Sequence, residues 1–95
     1  MSMNNVNLLT KNLLYRIAGD KYRVFLDVYK AWQPIVGTLL AEKSYPFRYE
    51  NGVVYVGVRN STWMQELILL KHNIIRMYTQ TYKIYVTEIV FLVKK

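Results

Sequence analysis

The sequence predicts a compact α+β domain in the order α-α-β-β-α-β: N-terminal helices, a β-hairpin, a long helix and a final strand, with a three-stranded sheet packed on helices. Three observations carry this. Asn51-Gly52 lies between two alternating apolar segments, and a type I′ hairpin turn favours that pair because both of its central residues need positive φ. On either side of the hairpin, apolar residues recur at i, i+4 and i+8, the period of an amphipathic helix. Residues 84–93 are almost continuously apolar and rich in β-branched side chains, as in a strand covered on both faces.

Taken in order, Val6, Leu9, Leu13, Leu14, Tyr15 and Ile17 recur at helical spacing and predict a helix over 6–18, frayed at its start and ended near Gly19. Asp20 is placed to cap the next helix, whose inward face is Val24, Phe25, Val28 and Trp32. Pro34 has no N–H for the carbonyl of Lys30, so a kink or restart is expected near Gln33. Ile35, Val36, Leu39 and Leu40 continue the stripe to Lys43, and Gly37 is expected to permit close helix packing or a turn. Ser44, Tyr45 and Pro46 then force an extended backbone.

A two-residue turn pairs Glu50 with Val53. Strict alternation puts Phe47, Tyr49, Val54, Val56 and Val58 on the core face and Arg48, Glu50, Val53, Tyr55, Gly57 and Arg59 on the other. Asn60, Ser61 and Thr62 are all suited to cap the following helix. Its apolar stripe is Trp63, Leu67, Leu70, Ile74 and either Met77 or Tyr78, with Gln65, His72, Asn73, Arg76 and Gln80 in solvent and Leu69 among them. The last run, 84–93, reads as a central strand rather than an edge. If helices cover one face only, the other remains for a neighbour, and a homodimer through this strand would cover it.

Composition bounds the function. The 95 residues are 53% hydrophobic, contain no Cys and carry 13 Lys and Arg against 6 Asp and Glu, a formal charge of +7. That describes one domain over 1–95 with one core, too small for a cleft between domains. Without Cys there is no thiol nucleophile, zinc–thiolate site or disulfide, which fits a reducing compartment. No apolar run approaches the roughly 18 residues of a membrane span, and residues 1–11 lack a secretory pattern; the cytoplasm and no membrane partner are the expectation. The diffuse basic excess favours an anionic partner such as nucleic acid and serves solubility equally well.

Catalytic patterns are missing. His72 is the single histidine, the carboxylates Asp20, Asp27, Glu42, Glu50, Glu66 and Glu88 are scattered, and there is no Walker loop, dinucleotide turn or nucleophile elbow. The expectation is a protein that is not an enzyme and needs no cofactor or metal. What remains is a binding surface. Arg48 and Arg59 flank Tyr55 on the hairpin face opposite the core, suited to phosphates with a base stacked between them, although a solvated strand alternates in the same way. Lys71 and Arg76 on the long helix, with Lys94 and Lys95 at the end, widen the field.

The segments Ala31-Trp32-Gln33-Pro34-Ile35-Val36-Gly37, Tyr45-Pro46, Asn51-Gly52-Val53-Val54-Tyr55-Val56-Gly57-Val58 and Asn60-Ser61-Thr62-Trp63-Met64-Gln65-Glu66-Leu67 together resemble the DciA-like family, over about residues 24–91. The resemblance implies a domain similar to K-homology domains and a role in bringing the replicative DNA helicase to DNA, with affinity for DNA itself. Gly19, Gly37, Gly52 and Gly57 form no Gly-x-x-Gly clamp, so sequence-specific reading of a single strand is not expected. With Lys95 just past the last strand, any grip on DNA is expected from the folded part and to be weak and salt-dependent. Trp63 resembles the family's characteristic tryptophan and has two readings, a core anchor or, with Met64, an apolar dock for the helicase; Leu69 is a further contact for that partner. The alternative function is a K-homology-like RNA or single-stranded nucleic-acid-binding module without a helicase.

Overall fold

A computed structural model of the protein describes residues 20–94. The helix expected over 6–18, the cap expected from Asp20 and Lys95 lie outside the described residues and side chains.

Helix α1 (Asp20–Val36) buries Val28, Ala31 and Trp32, with Val24 packed against them, because residues four apart share a face. Phe25 is only half-buried, its ring 6.1 Å from that of Tyr29. Of the kink or restart expected near Gln33, the restart does not occur: the helix runs through Pro34 to Val36. Pro34 deletes one N–H, and the ladder closes again with Gly37 N–H donating to Gln33 O at 2.8 Å. The stop is Gly37, at φ +92° and ψ 164°, a region essentially reserved for glycine. A Cβ there would meet nothing within 4 Å, so the residue serves the turn and not close helix packing. The short helix α2 (Thr38–Lys43) follows, with Leu40 and Ala41 inward and Leu39 exposed.

Strands β1 (Ser44–Glu50) and β2 (Val53–Val58) form the expected antiparallel hairpin, Glu50 opposite Val53. Asn51 and Gly52 take φ +53° and +80°, as a type I′ turn demands. The strict alternation fails once. The register shifts between Pro46 and Arg48: proline cannot donate to the ladder and is accommodated at a bulge. Pro46 takes the buried position, and Phe47, expected in the core, turns to the opposite face with Tyr55, ring centroids 6.3 Å apart.

Helix α3 (Ser61–Leu69) is capped by Asn60, whose side-chain oxygen accepts from Trp63 N–H at 3.1 Å. The long helix is interrupted at Leu70 (φ −95°, ψ 0°), continues as α4 (Lys71–Arg76) and ends in a wide π-type turn, Met77–Thr81. Leu67, Ile74 and Tyr78 are its buried stripe, while Met77 is 37% exposed. The Tyr78 hydroxyl donates to Val28 O at 2.8 Å, joining the end of this helix to the middle of α1. Burial, and secondarily Tyr82, pushes the Tyr78 phenol well above its ordinary range.

Strand β3 (Glu88–Val93) corrects the reading of the last apolar run. The sheet order is β1-β2-β3, with β3 parallel to β2, so the central strand is β2 and β3 is an edge. The helical crossover returns the chain to the end of the sheet where β2 began, which makes the pair parallel. The run also divides into two parts. In the extended approach, Ile84 and Val86 are buried and Tyr85 exposed, and Thr87 N–H is held by Gly52 O at 2.8 Å. In the strand proper the buried residue is Ile89, so the inward parity changes between them. All the helices named in the core, through Val28, Trp32, Leu67, Ile74 and Tyr78, meet one sheet face made by Val54, Val56, Val58 and Ile89.

Candidate nucleic-acid interface

Among the described residues, the helical core does not cover the sheet's second face. Register places Tyr45 opposite Gly57 and Arg48 opposite Tyr55, with Val90 beside Tyr55 and Leu92 beside Gly57. The bulge adds Phe47. Tyr45, Phe47 and Tyr55 therefore form a chain of rings, centroids 6.4 and 6.3 Å apart, with two cations on it. The Arg48 guanidinium lies 5.3 Å from the Tyr55 centroid and the Lys94 ammonium 3.7 Å from that of Phe47, within the range of cation–π attraction. Lys94 reaches Phe47 by passing over Gly57, where a Cβ would stand 3.2 Å from Lys94 Cδ and 3.1 Å from Tyr45 Cζ.

Of the residues expected to meet nucleic acid, the fold brings Arg48 and Tyr55 into contact. Arg48 also forms an ion pair with Glu50, which tempers its charge. Arg59 directly follows β2, is exposed, and donates its backbone N–H to Lys43 O at 2.9 Å. It stands four residues from Tyr55, roughly 13 Å along an extended chain. Lys71 and Arg76 do not join them. Both belong to α4 on the helical side of the sheet, and Lys71 donates to Glu88 Oε1 at 2.9 Å. That hydrogen bond first, and the backbone N–H of Ile89 second, hold the Glu88 carboxyl below its ordinary value.

The residues expected to meet a protein partner separate as well. Trp63 and Met64 are half-buried against the core, and Lys43 Nζ lies 5.7 Å from the Trp63 ring centroid. Leu69 is 78% exposed, beside the exposed Ile68. Six residues at 100° each set Leu69 about 120° around the helix from Trp63, so they do not share one face.

Sequence reasoning missed Tyr45 and Phe47 as ring platforms. The available signal was Pro46: a proline inside a strand marks a bulge, and a bulge reverses the side on which the next residue points. Chemically the face can hold phosphates and stack planar bases. Among the described residues, no group of three or more His, Asp or Glu side chains is placed to hold a metal ion, and no helix is long and apolar enough to cross a membrane. The family model described as Dna[CI] antecedent, DciA matches residues 5–91. No curated protein matches the chain.

Proposed function

The chain belongs to the DciA family, and we propose that it is a non-catalytic, cytoplasmic accessory protein of bacterial DNA replication that binds the replicative DNA helicase and, weakly, DNA, assisting helicase loading. The family's association with helicase loading supports the first part. The observation that carries the second is the open sheet face, where Arg48 and Lys94 sit over a chain of three aromatic rings on a chain of net charge +7. Such a face binds through phosphate neutralisation and ring stacking, both tolerant of sequence. Arg59 extends it. Lys71 and Arg76 contribute only to the long-range field.

For the helicase, the reading assigns Trp63 and Met64 a supporting role and Leu69 the direct contact, because an exposed apolar side chain gains most from being covered. A homodimer through β3 is a further assembly consistent with its edge position and the exposed Leu92 and Val93; sedimentation at several concentrations tests it, and a monomer throughout removes it.

The deciding experiment combines capture of the purified replicative helicase with titration of labelled single- and double-stranded DNA at two salt concentrations. Helicase capture with DNA affinity that falls steeply with salt is the expected result. The aromatic face also favours a second reading, a single-stranded nucleic-acid module acting alone, and salt-dependent binding with no helicase capture selects it. No nucleic-acid binding at low salt overturns the assignment of the open face.

A further inference from the structure

Between α1 and β1 lies a cleft of about 250 Å³ whose lining includes Tyr29, Lys30, Gln33, Ser44 and Tyr45. It adjoins the open sheet face through Tyr45, the first ring of the chain Tyr45, Phe47, Tyr55. Its floor is chemically closed. The Ser44 hydroxyl accepts from Trp32 Nε1 at 3.0 Å and donates to Leu40 O at 2.6 Å. Two of the residues lining it are aromatic and accessible, Tyr29 51% and Tyr45 46% exposed. Its rim carries Gln33 and Lys30, both exposed, and among the described residues neither side chain has a hydrogen-bonding or ionic partner.

We infer that this cleft binds one splayed-out nucleobase of a single-stranded nucleic acid whose neighbouring phosphates meet the Arg48 and Lys94 cations on the open sheet face. The inference rests on the reading of the open face as a nucleic-acid surface and adds the strandedness and a base-reading position. Size is the first reason: the cleft is below the roughly 300–1,000 Å³ of sites for drug-sized ligands and suits a single planar ring system. Chemistry is the second. A neutral amide offers donors and an acceptor to a base edge, and a neighbouring ammonium suits the attached phosphate. Position is the third. Tyr45 both lines the cleft and meets the Phe47 ring, so a base in the cleft lies next to the face that carries Arg48 and Lys94, and a base can leave its stack to enter a cleft most readily from a single strand.

The test is anisotropy with fluorescent dA, dC and dT homopolymers and a duplex, using the full chain and its variants Tyr29→Ala, Tyr29→Phe and Gln33→Ala, each checked for folding by circular dichroism. The parent is expected to favour single strands and to rank the homopolymers unequally. Tyr29→Ala should lose about fivefold or more in affinity with the salt slope unchanged, Tyr29→Phe should restore it, and Gln33→Ala should level the ranking. Equal ranking by the parent, or Tyr29→Ala and Gln33→Ala variants that bind as it does, overturns the cleft as a base site. In that case weakened binding by Arg48→Ala or Lys94→Met still leaves the open face standing. If the parent binds no oligonucleotide at low salt, the reading of the face fails and the cleft falls with it.

Discussion

The ammonium of Lys94 sits 3.7 Å from the centroid of the Phe47 ring, which ties the residue just after β3 to the bulge of β1 across the intervening central strand. The contact exists because two local features coincide. Pro46 forces the bulge that turns Phe47 outward, and Gly57 leaves the lysine stem a path between them. The same contact places a cation on the aromatic face proposed to meet nucleic acid.

Lys94→Met keeps much of the stem and removes the charge. The slope of log affinity against log salt for single-stranded DNA is expected to fall by about one, with a stability loss of about 0.5–1 kcal/mol for an exposed cation–π contact. Titration at four salt concentrations checks the first and urea unfolding the second. An unchanged slope removes Lys94 from the interface.

Tyr78→Phe leaves the ring in the core and deletes the hydrogen bond to Val28 O. The Val28 carbonyl keeps its place in the α1 ladder, so the loss is that of one hydrogen bond, about 0.5–1.5 kcal/mol. Because the folded phenol titrates above its unfolded value, its neutral form stabilises the fold fully below an ordinary tyrosine pKa, and that contribution is lost as pH rises beyond it. Alkaline denaturation curves of the parent should therefore show a step of tyrosinate formation coupled to unfolding that is diminished in Tyr78→Phe. Superimposable alkaline curves would contradict the assignment.

Gly37 and Gly52 both need glycine, for different reasons. Gly37→Ala meets no atoms and suffers only the backbone conformation, about 1–3 kcal/mol. Gly52→Ala adds a Cβ 2.8 Å from the Tyr85 ring. Thermal denaturation of the single and double variants is expected to show Tyr85→Ala rescuing part of the loss in Gly52→Ala and none in Gly37→Ala.

The Lys71–Glu88 pair joins α4 to the first residue of the edge strand. Both side chains are partly in solvent, so a double-mutant cycle with Lys71→Met and Glu88→Gln should give a coupling of about 0.2–1 kcal/mol that shrinks in high salt. Since the carboxyl is held below its ordinary value by Lys71 and the Ile89 N–H, the stabilisation is present above the ordinary glutamate pKa. It is lost as pH falls through the lowered one. Coupling that grows in acid would refute this.

Leu69 and Trp63 offer a contrast in partner binding. Leu69→Asp, at a position 78% exposed, should abolish helicase capture while leaving the melting temperature unchanged. Trp63→Ala should lower both, because Trp63 packs on the core and under Lys43. Capture that survives Leu69→Asp moves the dock elsewhere.

What the sequence determined by itself were the local features that admit few alternatives. Asn51-Gly52 specified the hairpin and the pairing of Glu50 with Val53, because few residue pairs tolerate positive φ twice. The period of the long helix picked out Leu67 and Ile74 and narrowed its end to two residues, because side chains four apart lie on one face. Leu69 was legible as exposed for the same reason.

Tertiary structure decided what depends on competition between distant groups. The apolar density of residues 84–93 could not distinguish a central strand from an edge strand preceded by a core-filling approach. That choice was made by β2, which pairs with β1 through the hairpin and has one side left for β3. Whether Lys71 served a ligand or Glu88 depended on where β3 arrived. The side on which Phe47 points was decided by the ladder's inability to use Pro46, and with it the aromatic half of the binding face. Local rules act through bonds and neighbouring turns; strand order and the neighbours of a charge are settled only when the whole chain has closed.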